Sequence, residues 1–531
     1  MVGRVVAVAF SIALTIVVGS PCRAADDAAK TFDVWEYRVD GNTVLDARDV
    51  ERILYPYLGP MRDLGGIEQA RGALEAEYRA RGYVAVAVTI PEQTVDRGLV
   101  RLQVVEQHVA KLRVTGAKYT SERDIAGALP SLAPGEVLNS NDVQKDIAAL
   151  SARSRDVQYD PRIKSGKDVG TLDVEVAVKD RPPLHGSLEL NNFRSANTTD
   201  LRTAATVSYE NLFQRQQELI LSSQVSPQDT SEVKVFSGTY VVRPDNGSIF
   251  SATGVHTDSD VAAVGGTTVL GKGDFAFVRG FFPLRQNANL RDNLILGFDY
   301  KSSKDETTFL VDNPSGPPTT DVSDKRITYV NLVTGYDAAV NGWGGPTTVD
   351  VTANFGSRQL ANNPSEFEKK RFKGDPNYLH LNLEASHTQP LPLGMHLVAR
   401  VRGQWSQDAL IANEEFNVGG VTSVRGYLES EQLADYGVGT SFELVTPNLG
   451  ARLGRLSTTE GYVFWDWSNG RLNDPLPKEK ADFRMASVGA GVRFAAIWGF
   501  EGDAFWAHTL NVAPDTPSGD DRMSFRFGYT F

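Results

Sequence analysis

An arginine in a glycine-rich stretch and an aspartate on an alternating segment carry opposite charges whose chemistry would be that of anchoring. Arg425 belongs to Val424-Arg425-Gly426-Tyr427, which follows Phe416-Asn417-Val418-Gly419-Gly420-Val421-Thr422-Ser423. Asp466 belongs to Phe464-Trp465-Asp466-Trp467-Ser468. A guanidinium can grip a carboxylate through two parallel hydrogen bonds, which is chemistry of anchoring, not of bond breaking. On a strand, Phe464, Asp466 and Ser468 share one face while Trp465 and Trp467 share the other. That pattern predicts one polar and one apolar environment on the two sides of the same strand.

Residues arranged for catalysis are not found. The seven histidines (His108, His185, His256, His380, His387, His396 and His508) are scattered, with no H-E-x-x-H pattern. There is no G-x-S-x-G and no phosphate-binding loop, and Gly489-Ala490-Gly491 reads as strand glycine. No enzyme, metal or cofactor is expected. A net charge of -12, from 54 Lys+Arg against 66 Asp+Glu, also argues against a nucleic-acid partner, which requires a basic stripe.

The element that must position Asp466 recurs throughout the second two-thirds of the chain. From residue 184 to 531, alternating segments of about ten residues repeat with no convincing helix between them. Thr206-Val207-Ser208-Tyr209, Leu219-Ile220-Leu221-Ser222-Ser223 and Tyr378-Leu379-His380-Leu381-Asn382-Leu383 are examples. About 16 such strands predict a transmembrane antiparallel β-barrel, closed because an open edge in lipid would leave backbone groups unpaired. Short connections at 211–216 and 389–394 are expected as periplasmic turns. The long polar segments 256–271, 303–324, 355–376 and 409–436 are expected as extracellular loops. Phe525, Phe527, Tyr529 and Phe531 alternate up to the last residue of the sequence.

Two smaller modules precede the barrel. Residues 32–107 read as strand, helix, helix, strand, strand. Asp46 is the expected N-cap of a helix whose apolar face is Val50, Ile53, Leu54 and Tyr57. A second helix carries Ile67, Ala70, Leu74 and Tyr78 and stops at Gly82; Val84 to Ile90 and Val100 to Val104 alternate as strands. Residues 108–181 repeat the plan. Arg38-Val39-Asp40-Gly41 is echoed by Arg113-Val114-Thr115-Gly116 about 75 residues on. Ser121 with Asp124 marks a helix start, Val143, Ile147 and Leu150 a second helix, and Leu172, Val174, Val176 and Val178 a half-buried strand. Arg181-Pro182-Pro183 then breaks regular structure.

At the front, Arg4, an apolar run from Val5 to Val18 and the small-x-small site Cys22-Arg23-Ala24 have the layout of a secretory signal peptide over residues 1–24. The run is short for a spanning helix, which needs about 20 residues. Cys22 is the single cysteine and would leave with the signal, so no disulfide is expected.

Together these features resemble the two-partner secretion outer-membrane transporters, the haemolysin-activator and filamentous-haemagglutinin-secretion family. The modules resemble POTRA domains, with the junction carried by RGYVAVAVTIPEQTVDRGLVRLQVVEQHVAKLRV from Arg81 to Val114. Val424-Arg425-Gly426-Tyr427 resembles the loop-six signature of the wider superfamily, and Phe464, Asp466 and Ser468 fall on its F-x-D-x-G partner strand with serine in place of glycine. The terminal Phe527, Tyr529 and Phe531 resemble the signal by which barrels are recognised for insertion. The resemblance implies that loop six folds back into the barrel, where Arg425 pairs with Asp466. Breaking such a pair in a wet lumen is expected to cost less than the roughly 3–5 kcal/mol of a dry one. It implies a pore in the Gram-negative outer membrane with its POTRA domains in the periplasm, secreting a partner exoprotein. Its partners would be that client, outer-membrane lipid, and the barrel-assembly machinery during insertion. Only about seven residues separate Ala25 from Phe32, so the N-terminal plug helix of many relatives is not expected. A barrel-assembly factor of the same superfamily, a passive porin and a barrel enzyme are the alternatives.

Overall fold

The structure is a computed structural model. It describes residues 31–531 except 245, 260, 265–266, 305–306, 312–318, 324, 451–455 and 477–478. The expected signal peptide, with Cys22, lies outside the described residues.

The chain forms two compact units, divided near residue 180. The first holds both small modules. In the leading one, helices Ala47–Leu54 and Leu64–Ala80 pack on a sheet of Glu36–Asp40, Leu99–Val105 and Ala87–Thr89. The Asp46 carboxylate caps the first helix by accepting from Arg48 N, and Asp63 caps the second by accepting from Gly66 N at 2.8 Å. Ile67, Ala70, Leu74 and Tyr78 bury one helical stripe against Val100, Leu102 and Val104. The alternating run from Val84 to Ile90 yields only the short strand Ala87–Thr89, because Val84 points into solvent and pairing with the central strand covers just Ala87 to Thr89. An additional small pair, Phe32–Val34 with Gly59–Arg62, carries no alternation by which the sequence could reveal it.

The second module repeats this order. Helices Glu122–Gly127 and Ser140–Arg153 accompany a sheet of His108–Thr115, Thr171–Asp180 and Val157–Ser165. The echoed Arg-Val pairs occupy equivalent places: each lies in a strand that pairs in parallel with the last strand of its sheet. Val157–Ser165 has no sequence signature because it is an edge strand with most side chains exposed, so no period of two is imposed on it. The modules are joined by hydrogen bonds. Ser140 N donates to Gly82 O at 2.9 Å and Asn139 Nδ2 to Arg81 O at 3.0 Å, linking the end of one helix to the start of another.

The second unit is a closed barrel of 16 antiparallel strands. In chain order they are β1 (Leu184–Asn191), β2 (Arg202–Leu212), β3 (Gln217–Val225), β4 (Lys234–Val242), β5 (Ile249–Asp258), β6 (Lys272–Gln286), β7 (Leu290–Lys304) and β8 (Ile327–Gly342). They continue as β9 (Gly345–Phe355), β10 (Leu379–Pro390), β11 (His396–Ser406), β12 (Tyr436–Val445), β13 (Leu456–Arg471), β14 (Asp482–Ala496), β15 (Phe500–Thr509) and β16 (Asp521–Thr530). Each strand pairs with its sequence neighbours, and β16 returns to β1. Alternation sorts the faces: Leu294, Leu296, Phe298 and Tyr300 of β7 are exposed on the outer, lipid side, while Ile295 and Asp299 are buried inward.

The strands exceed the expected loop limits at 256 and 303, since β5 runs to Asp258 and β7 to Lys304. Polar residues can continue a ladder above the lipid, where hydrogen bonding and not hydrophobicity holds the strand. Among the described residues, one α-helix interrupts the region read as helix-free: Pro364–Lys370, with Pro364 in its first turn. Its Phe367 is buried against Tyr329 and Tyr378, a tertiary contact that the charged sequence around it conceals.

Candidate functional site

Residues 407–435 connect β11 to β12, and their middle lies inside the barrel. Phe416, Val418, Val424, Tyr427 and Ala434 pack against Phe483 and Met485 of β14, so this long connection carries a small hydrophobic core of its own. Such packing offsets part of the entropy lost when a long segment is fixed. Tyr427 Oη donates to Asn511 O at 2.8 Å and accepts from Asn511 N at 3.1 Å. Gly426 has φ +94°, a conformation that side chains rarely adopt, and a Cβ there would crowd Ala507 and Thr509 at 3.1 Å.

Arg425 and Asp466 meet there. Arg425 Nε donates to Asp466 Oδ2 and Nη2 to Oδ1, both at 2.7 Å, and the Arg425 backbone N donates to Oδ2 at 3.1 Å. The guanidinium lies 3.6 Å from the centroid of the Phe464 ring. Arg425 is 6% exposed and Asp466 1%, so the pair is buried although it borders the lumen. Breaking a buried pair costs about 3–5 kcal/mol.

A third member was not anticipated. Arg425 Nη1 donates to Glu443 Oε1 at 2.6 Å, and Glu443 also accepts from Arg493 Nη2 at 2.7 Å. Arg400 lies 3.3 Å from the same carboxylate. The signal was present, since Glu443 alternates with Phe442 on β12, but nothing in the sequence puts Glu443 beside Phe464 across the β12–β13 ladder. The cluster borders a lumen cavity of about 990 Å³, whose wall also carries Asp350, Glu384 and Arg402.

Ser468, the departure from the family's glycine, is 0% exposed and its Oγ donates to Val438 O at 3.1 Å. Its pairing partner across the ladder is Gly439, so the space that one strand lacks is supplied by its neighbour. Ser468→Gly should accordingly lower the denaturation midpoint only slightly, on the order of the ~1 kcal/mol of one buried hydrogen bond. Thermal unfolding of the barrel in detergent would measure it; loss of the folded barrel would show that the serine does more than fill this space.

The terminal aromatics lie apart from this cluster. Phe527 and Phe531 are exposed on the outer face, and Tyr529 packs on Phe500 with ring centroids 4.7 Å apart. β16 and β1 share five paired positions, from Arg526↔Asn191 to Thr530↔Ser187. Beyond them, Phe531 N donates to Gly186 O at 3.0 Å and Gly186 N to Phe531 O at 3.2 Å, and the bare Gly186 leaves space for the Phe531 ring.

A POTRA module ahead of a closed 16-strand barrel with a pinned inner loop defines an outer-membrane transporter of the Gram-negative envelope, with its POTRA region in the periplasm. The family described as POTRA domain, ShlB-type matches residues 32–107, and the family described as haemolysin secretion/activation protein ShlB/FhaC/HecB matches residues 294–494. These matches support a two-partner secretion transporter, a pore that exports a partner exoprotein. The outer membrane transporter CdiB of Dickeya dadantii (strain 3937) is 23% identical over 78% of this chain and 73% of its own length. The heme/hemopexin transporter protein HuxB of Haemophilus influenzae (strain ATCC 51907 / DSM 11121 / KW20 / Rd) is 21% identical over 84% and 77%. The fold is shared with CdiB from Escherichia coli, at a TM-score of 0.61 and 19% identity over 96% of this chain and 93% of that one. It is also shared with BamA from Haemophilus ducreyi lacking POTRA domains 1-3, at 0.58 and 14% over 94% and 100%.

Proposed function

We propose that the exoprotein is engaged in extended form by the POTRA modules, passes through the barrel past loop six and folds outside, with Arg425 holding loop six in the position that transport requires. The buried Arg425–Asp466–Glu443 cluster carries this reading, because a loop fixed by a buried, multiply bonded guanidinium has a defined position inside the pore. The POTRA sheets offer backbone at their edges: Glu36–Asp40 ends the first sheet and the mostly exposed Val157–Ser165 the second. Strand addition to such an edge uses main-chain bonds, which suit clients of varied sequence. Folding of the client outside would supply the driving force. Outer-membrane lipid surrounds the exposed leucine and phenylalanine belt, and the assembly machinery reads Phe527, Tyr529 and Phe531 during insertion.

Deleting the gene and comparing the proteins of the culture medium tests this function. One large secreted protein should disappear while the other outer-membrane barrels stay at their normal level. An unchanged medium with general loss of barrels would instead support an assembly factor.

A further inference from the structure

Loop six touches the barrel at a second place, on a different arc of the wall. Glu414, in the short turn Ala412–Glu414, is 3% exposed, and both of its carboxylate oxygens are occupied. Oε1 accepts from Lys301 Nζ of β7 and from Tyr329 Oη of β8, each at 2.6 Å. Oε2 accepts from Asn331 Nδ2 of β8 at 2.9 Å and lies 3.1 Å from His380 Nε2 of β10. The Glu414 main-chain oxygen is held as well, accepting from Gln404 Nε2 at 2.8 Å. Beside this turn, Leu410 and Ile411 pack on Ile327, Tyr329, Phe367 and Tyr378. Burial opposes the charged form of Glu414, but the Lys301 ammonium and His380 outweigh it and hold the carboxyl down at about 2.

The two seats differ in what they span. Arg425 is bound to β12 and β13, the strand that loop six itself leads into and the next one round. Glu414 is bound to β7, β8 and β10, and Arg425 follows eleven residues later. Gln404 of β11, the strand between the two sets, donates both to the Glu414 main-chain oxygen and to Asp435 O at the far end of the loop, so Glu414 fixes the base of loop six. Glu414 accepts from groups on three strands and Arg425 grips groups on two more, so the loop is held near its start and at its middle.

We propose that Glu414 is a second anchor of loop six, a positioning residue that holds the base of the loop against the wall and keeps the resting channel narrow. The proposal rests on the reading of loop six as a segment held inside the pore, but it needs no client for its test. The full-length protein is purified and placed in planar lipid bilayers, and single-channel conductance is recorded for wild type, Glu414→Gln, Glu414→Ala, Lys301→Met and the double variant Glu414→Gln/Lys301→Met. Each single variant should raise mean conductance several-fold and make residues 407–435 cleavable by added protease. The double variant should rise no further than the singles, because both partners act through one contact. Heat-modifiable gel mobility reports that the barrel itself is folded, which a purely structural loss would not preserve. Folded variants that conduct like wild type, or single effects that simply add, would overturn the proposal. So would failure of both Glu414 variants to fold, since Glu414 would then be a determinant of the barrel and not of its loop. Client export is read separately in the culture medium, so failure of the anchor and failure of the secretion reading are distinguishable.

Discussion

Replacing Arg425 by alanine is expected to abolish or strongly reduce export of the partner exoprotein while leaving the barrel in the outer membrane. The substitution removes the paired hydrogen bonds to Asp466, the bond to Glu443 and the stack on Phe464. Glu443 would still have Arg493 and Arg400, but the Asp466 carboxylate, 1% exposed, would lose its guanidinium partner. A charge stranded in this way costs about 3–5 kcal/mol, and each 1.4 kcal/mol is a factor of ten in population. The seated form of loop six would therefore fall at least about a hundredfold. The barrel ladder does not depend on this pair, because its strands are joined by backbone bonds all the way round. Arg425→Lys should recover only part of the export, since an ammonium keeps the charge but cannot match the planar carboxylate at two points. The measurement is the amount of exoprotein in the medium beside the heat-modifiable barrel in outer-membrane fractions. Normal export by a folded Arg425→Ala barrel would remove Arg425 from the mechanism.

The second large effect concerns closure. Changing Phe527, Tyr529 and Phe531 together to serine should reduce the mature barrel in the outer membrane by about tenfold or more, which corresponds to only ~1.4 kcal/mol, less than one large side chain contributes on burial. The reason lies in the seam. β13 and β14 pair through fifteen residues, whereas β16 and β1 share five, extended by two bonds between Phe531 and Gly186 at one end and by the bonds of Asn192 to Phe525 and Met523 at the other. A short seam gains proportionally more from side chains, and here Tyr529 stacks on Phe500 while Phe527 and Phe531 face lipid. Removing these rings weakens the lipid-facing side of the strand that must find β1 last. Fractionation and semi-native gels would show the loss. A triple variant that assembles at the normal level would mean that the ladder alone suffices.

Much of this was legible from local order. Alternation along a strand records which side meets lipid, so the inward face of Phe464, Asp466 and Ser468, the outward Trp465 and the number of strands could all be read from residue types two positions apart. The helices of the first module were equally plain, because Ile67, Ala70, Leu74 and Tyr78 repeat at helical spacing. The segments that escaped share a cause. Val157–Ser165 is an exposed edge, Ala87–Thr89 is cut short by its partner, and Pro364–Lys370 is held by Phe367 docking on distant tyrosines; none of these leaves a periodic trace.

The sequence by itself determined the class of the protein and the faces of its strands, because each is written in short-range spacing or in a motif, and its family resemblance implied the meeting of Arg425 with Asp466. Only the tertiary structure decided that Glu443 completes the cluster, that Glu414 is enclosed by Lys301, Tyr329, Asn331 and His380, and that Gly439 makes room for Ser468. Those contacts depend on strand register and on where a long loop re-enters the barrel. Both are set by pairing between residues far apart in the chain, which local patterning does not encode.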